Sequence, residues 1–169
     1  MSPIEIKPAA PGDISAITRI YNEGIASGLG TFETRLREKS EIAEWLAKAS
    51  TYPVLVASRN GGCCGFARLI AYRPRDCYAG IAEFSIYLDS HCRGQGTGRL
   101  LLGELLKVAG NKGFHKVLSR IFTFNTASRR LCAKLGFREV GIYEKHGKLN
   151  DQWLDVVIVE RQLPCSFDG

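Results

Sequence analysis

Apolar side chains recur along this chain with two different periods, and the changes of period mark its elements. Ile4–Ala9 alternates and predicts a first strand, broken by Pro11-Gly12. Asp13 then stands where a helix N-cap is needed. Ile14, Ile17, Ile20 and Tyr21 follow as one helical stripe. Ser27–Thr34 reads as a loop. Glu38–Ser50 reads as a second helix with Ile42, Trp45, Leu46 and Ala49 facing inward. The period then shortens. Tyr52–Ser58 is a buried strand, Asn60-Gly61 a hairpin turn, and Cys63–Tyr72 the returning antiparallel strand. Tyr72–Gly80 is a loop and Ile81–Asp89 a long strand. Arg99–Gly113 predicts a third helix that stops near Gly113. His115–Phe122 predicts a strand, and Asn125–Phe137 a capped helix closed by Gly136. Arg138–Leu163 holds two strands and a connector. The order β-α-α-β-β-β-α-β-α-β-β predicts an α/β layered fold built on a mixed sheet.

The 169 residues suit one domain, expected over 1–164 with a short tail at 165–169. No apolar run approaches the ~20 residues that span a bilayer, and "MSPIEIKPAA" lacks the features of a secretory signal. A cytoplasmic protein that does not bind membranes is expected. Six cysteines include no C-x-x-C pair, and the three histidines form no ligand pair, so no metal site is expected. The net charge of +6 comes from scattered Lys and Arg, without a basic stripe carrying interleaved aromatics. That argues against nucleic acid and leaves room for a small polyanion.

Arg93-Gly94-Gln95-Gly96-Thr97-Gly98 separates a strand from a helix. It is not the mononucleotide P-loop, because no Lys-Ser or Lys-Thr follows. It is not the dinucleotide fingerprint either, because the third glycine would fall at Arg99. Main-chain N–H groups ahead of a helix make an anion nest, and missing Cβ atoms let a phosphate approach. On the residues alone, a flexible turn is an equal reading.

The loop is similar to the Q/R-x-x-G-x-G/A motif of the GNAT superfamily of acetyl-CoA-dependent N-acetyltransferases. The predicted element order also resembles that fold, a mostly antiparallel mixed central sheet flanked by helices. The resemblance implies that Arg93, Gly94, Gln95, Gly96, Thr97, Gly98 and Arg99 hold the pyrophosphate of coenzyme A. It also implies that the main chain of Ile86, Tyr87 and Leu88 lines the cofactor channel and polarises the thioester. Asn125, in a helix like the family's Asn-containing one, would contact the cofactor while also capping its helix. The segments "IYNEGI", "TFET", "YPVLVA", "YRPR", "AEFSIYLD", "GFREVGIYEKHGK" and "WLDVVIVER" resemble the phosphinothricin N-acetyltransferase group, above all its arsinothricin N-acetyltransferase branch. That group acetylates the α-amine of glutamate analogues, and some relatives accept methionine sulfone or sulfoximine.

Amide formation from a thioester needs a neutral amine, whose reference pKa is ~7.7–8.0, and therefore a base. Glu83 is the acidic residue of an otherwise apolar strand. By itself it reads as a surface glutamate; the resemblance implies the general base. Direct transfer, with no acyl-enzyme, is expected. Arg73 and Arg75 flank the stiff Pro74, and a guanidinium can grip a carboxylate bidentately. Taken alone they are solvated loop residues; in the resembling group they bind substrate. Phe32 is a candidate pocket wall or a core residue. Where many relatives carry a tyrosine or histidine as proton donor to the leaving thiolate, this chain has Cys132. Tyr143–Trp153 is polar and reads as a connector between two strands; the resemblance implies that it reaches toward a partner subunit's site, which predicts a homodimer whose cleft uses both chains. The alternatives are acetylation of methionine sulfone or sulfoximine, and acetylation of protein termini or lysines, which would need an open peptide groove.

Overall fold

The computed structural model describes residues 2–164; the expected tail at 165–169, with Cys165, lies outside them. Strand β1 (Glu5–Pro8) leads through a 3-10 turn at Pro11–Asp13 into α1 (Ile14–Ser27). Helix α2 (Lys39–Ala47) follows the loop, then β2 (Val54–Arg59), β3 (Gly62–Ala71) and β4 (Ile81–Leu88). The chain closes with α3 (Thr97–Asn111), β5 (Lys116–Phe122), α4 (Thr126–Lys134), β6 (Arg138–Leu149) and β7 (Gln152–Gln162). This is the element order that the two periods predict.

Local chemistry explains the ends. Asn60 and Gly61 both have positive φ, 52° and 77°, as a two-residue hairpin requires. Gly113 and Gly136, at φ 90° and 79°, end α3 and α4. Asp13 does not cap α1 as expected. Its Oδ2 turns back to accept the Ala10 amide at 2.8 Å, which stabilises the 3-10 turn instead. The Tyr143–Trp153 connector also needs correction. Tyr143–Leu149 continues β6, and Asn150 and Asp151, at φ 48° and 64°, make the whole turn into β7. Polarity there reflects a mostly exposed strand, in which Leu149 alone of Tyr143–Leu149 is buried.

Among the described residues seven strands are ordered β1-β2-β3-β4-β5-β7-β6, with β4 and β5 the one parallel pair. Helices α3 and α4 cover one face. Leu101, Leu102, Leu105 and Ala109 meet Leu69, Ala82, Phe84, Val117 and Val157 there in the larger core. Each fully buried leucine contributes about 1.5–3 kcal/mol before the entropy of ordering is subtracted. Helices α1 and α2 cover part of the other face, where Ile17, Ile20, Tyr21 and Ile42 pack on Val54, Val56 and Phe66. A third, smaller cluster on that second face joins Phe122, Leu149 and Val156 with Phe32. Between the second and third clusters runs a strip of sheet that no helix covers.

Candidate active site

The sheet opens where its parallel strands part. Strand β4 pairs with β5 through Ile81–Lys116, Ala82–Val117 and Glu83–Leu118, whereas its pairing with β3 continues to Gly65–Leu88. Past Glu83 the β5 side of β4 borders a gap. Phe84 O accepts from Ser119 Oγ across the narrow end at 3.1 Å, and Leu88 O accepts from the Arg93 guanidinium at 3.3 Å. Asp89 N, one residue out of phase, donates to Cys64 O on β3 at 2.9 Å. Strand alternation therefore aims the N–H and C=O of Ile86 and the N–H of Leu88 at the gap. Tyr87 differs from these two neighbours. Its main chain faces β3, and its ring packs edge-on to Tyr21 at 5.0 Å and against Gly24. Burial pushes the Tyr87 hydroxyl above the usual phenol range.

At the wide end of the gap lies the glycine loop. Gly94 and Gly96 adopt φ 70° and 81°, and a Cβ on either would meet no atom within 4 Å. The space above them is open. Gly96 caps α3 without any side-chain bond, so the first amides of that helix keep their donors. Gly98 serves packing: a Cβ there would stand 3.3 Å from Leu131 and 3.4 Å from Leu88. Thr97 is 1% exposed, and its hydroxyl has no partner among the described residues. Arg93 braces the loop through Leu88 O. Gln95 Nε2 donates to His91 O at 2.8 Å, and its Oε1 accepts from Arg59. Arg99 is exposed. Asp89 steadies the approach: Oδ1 accepts the His91 amide at 3.0 Å and Oδ2 pairs with Arg19 at 2.9 Å. The His91 amide, with Arg19 beside it, holds the Asp89 carboxyl below its usual range. Across the gap, Asn125 Oδ1 accepts the Ser128 amide at 3.2 Å and caps α4, which leaves its amide N–H groups available. An uncapped helix start, positive-φ glycines and an orphaned buried hydroxyl fit a diphosphate, and the gap fits an extended chain behind it.

The other face of the sheet holds the acid. Glu83 shares that face with Ser85 on β4, and with Arg120 and Phe122 on β5. Its side chain is 19% exposed, and Oε1 accepts from Arg120 Nη2 at 2.8 Å. Phe32 lies over the same face, edge-on to Phe122 at 4.8 Å and close against Gly147. The structure thus brings Glu83 and Phe32 to one cleft. Arg73 and Arg75 are exposed in the loop between β3 and β4, which leaves the sheet one register pair beyond Ile70–Glu83. Arg73 lies 5.2 Å from the Tyr72 ring, and Arg75 precedes a 3-10 turn. Cys132 is elsewhere. It is buried in the larger core, and burial pushes its thiol up to about 12.

Two cations escaped the sequence reading. Arg120 was hidden in a strand read only for its apolar positions; the period-2 alternation places it beside Glu83 once β4 and β5 are known to pair. Arg68 opposes Ser85 and stacks on Trp45, its Cζ 3.5 Å from the ring centroid. Burial lowers the Arg68 pKa to about 10.

The acetyltransferase (GNAT) domain family matches residues 6–158. The chain is 33% identical to the phosphinothricin N-acetyltransferase of Alcaligenes faecalis, covering 89% of this chain and 78% of that protein. It is 31% identical to the L-methionine sulfoximine/L-methionine sulfone acetyltransferase of Salmonella typhimurium, covering 94% of each. The crystal structure of a GNAT phosphinothricin acetyltransferase from Sinorhizobium meliloti with acetyl-CoA superposes with a TM-score of 0.88. It shares 32% identity, over 96% of this chain and 89% of that one.

Proposed function

The chain belongs to the GNAT acetyltransferase family and uses acetyl-CoA, and from that premise we propose that it N-acetylates the α-amine of phosphinothricin-like amino acids, arsinothricin included. The reading makes residues 1–164 one catalytic domain working in the cytoplasm. The observation that carries it is Glu83, a partly buried carboxylate at the last rung before β4 and β5 separate. It borders the gap from the face opposite α3, so an amine and a cofactor can reach one point from two sides of the sheet.

In this reading acetyl-CoA supplies the acetyl group as a thioester, and Gly94–Arg99 with Asn125 hold its far end. Glu83 takes the proton of the α-ammonium, directly or through water, and leaves a nucleophilic amine. The Ile86 N–H, aimed into the gap, donates to the carbonyl oxygen as the amine adds to the thioester carbon; the C–S bond then breaks, and the departing thiolate takes a proton from the nitrogen or from water. Arg73 and Arg75 orient the α-carboxylate, and Phe32 with Phe122 closes one side against water. Cys132 takes no part, since its thiol lies in the core and stays protonated at neutral pH. Methionine sulfone or sulfoximine is the second reading, favoured by the Salmonella relative.

We further infer a homodimer formed through β6. This edge strand exposes Val140, Ile142 and Tyr143, and Trp153 is exposed on β7 opposite Lys148. An uncovered apolar strand edge calls for a second copy. Size-exclusion with light scattering should give a dimer; a monomer at micromolar concentration contradicts it. The activity is tested by thiol release from acetyl-CoA across acidic, sulfone and sulfoximine amino acids and an N-terminal peptide. Turnover on the amino acids supports the assignment, and turnover on the peptide alone overturns it.

A further inference from the structure

The face that carries Glu83 holds more positive charge than Glu83 balances. Among the described residues, the Arg120 guanidinium forms one ion pair, through Nη2 to Glu83. It is 48% exposed, and a guanidinium has five N–H donors in a planar fork. Arg68 pairs with no carboxylate among the described residues. Strand alternation puts the two on the same face of the sheet. Arg68 opposes Ser85 on β4, and Arg120 stands two residues beyond Leu118, the partner of Glu83. Arg68 thus lies under Trp45 beside Ser85, while Arg120 reaches Glu83 from β5 on the strand that also carries Phe122, against Phe32.

We propose that Arg120 binds the distal anionic group of the substrate, so that the enzyme selects amino acids with a negatively charged tail over neutral sulfones of similar shape. The inference rests on the reading of Glu83 as acceptor of the α-amine proton, and it names the substrate class for that site. The argument is one of partner exchange. Arg120 occupies Oε1 of Glu83 and leaves only Oε2 to an incoming amine. A tail anion that takes the Arg120 fork releases Glu83 at the moment the amine arrives, and no charge is left unpaired. A neutral sulfone offers weaker acceptors, so Arg120 stays on Glu83 and the base remains engaged. Arg68 adds positive potential from the next strand without leaving Trp45. Arg73 and Arg75, at the end of the strip, are free for the α-carboxylate.

The test compares kcat/KM for phosphinothricin and for methionine sulfone, with acetyl-CoA saturating, in wild type and Arg120→Gln. Wild type should prefer the phosphinate at least about tenfold, and the variant should lower that preference about 10- to 100-fold, chiefly through KM. Arg120→Lys, which keeps charge but not the fork, should fall between them. A preference that moves less than about threefold, below the worth of one charged hydrogen bond, overturns the inference. So does a wild type that favours the sulfone, a result that stands even if Arg120→Gln fails to fold. If wild type binds acetyl-CoA yet acetylates neither compound, the parent reading of the substrate fails and this one fails with it. That outcome is distinct from a lost selectivity in an active enzyme.

Discussion

The two faces of the sheet meet at the same gap, but they offer a ligand different kinds of group. On the α3 face the apolar core is closed, and what remains is main chain: amides ahead of α3, with positive-φ glycines under open space. On the α1 face the sheet is partly bare, and what remains is side chains: Glu83 against Arg120, Phe32 over Phe122, Arg68 over Trp45. In the proposed reading, backbone donors bind a feature common to every turnover, the diphosphate. Side chains can be exchanged singly, so the face that carries them is where selectivity can change while the cofactor site stays fixed.

Substitutions on the two faces should accordingly fail in different ways. Glu83→Gln should lower kcat about 100-fold or more, the usual worth of a positioned general base, with acetyl-CoA affinity held. Unchanged turnover would remove Glu83 from the chemistry. Gly96→Val should do the reverse. At φ 81° an L side chain costs about 1–2 kcal/mol, so acetyl-CoA should bind about tenfold more weakly by calorimetry. Arg73→Lys should raise KM for the amino acid several-fold, roughly 5- to 10-fold, with kcat little altered; an unaltered KM makes Arg73 a bystander.

Acid should act on the cofactor side. The folded pKa of Asp89 is depressed by the His91 amide and Arg19, so its stabilisation is complete above the unfolded value and is lost as pH falls through the folded one. Protection of the 89–93 amides, followed by hydrogen exchange, should hold down to about pH 4 and decline below it. The smallest effect concerns Cys132. At pH 8, iodoacetamide should label exposed Cys77 and spare Cys132, whose burial holds its thiol at about 12. Rapid labelling of Cys132 would mean that α4 opens.

The same division explains what the sequence disclosed. The element order was legible because each helix and strand keeps its own period, with glycines at Gly61, Gly113 and Gly136 marking the ends. The glycine loop between β4 and α3 was legible because positive-φ turns leave a local pattern, here Gly94 and Gly96. The Glu83–Arg120 pair was not, because it depends on β4 and β5 lying side by side, 37 positions apart in the chain. Asp13 misled because its carboxylate accepts the Ala10 amide three residues back and not an amide of α1. Tyr143–Trp153 misled because polar residues mark an exposed strand as well as a loop.

The most direct test of the account is a crystal structure of this chain with acetyl-CoA. The account predicts the diphosphate on the amides of Gly94–Arg99 and the thioester carbonyl in the β4–β5 gap, within hydrogen-bonding reach of the Ile86 N–H and beside Glu83. A diphosphate bound elsewhere, or a thioester on the far side of the sheet from Glu83, would contradict it.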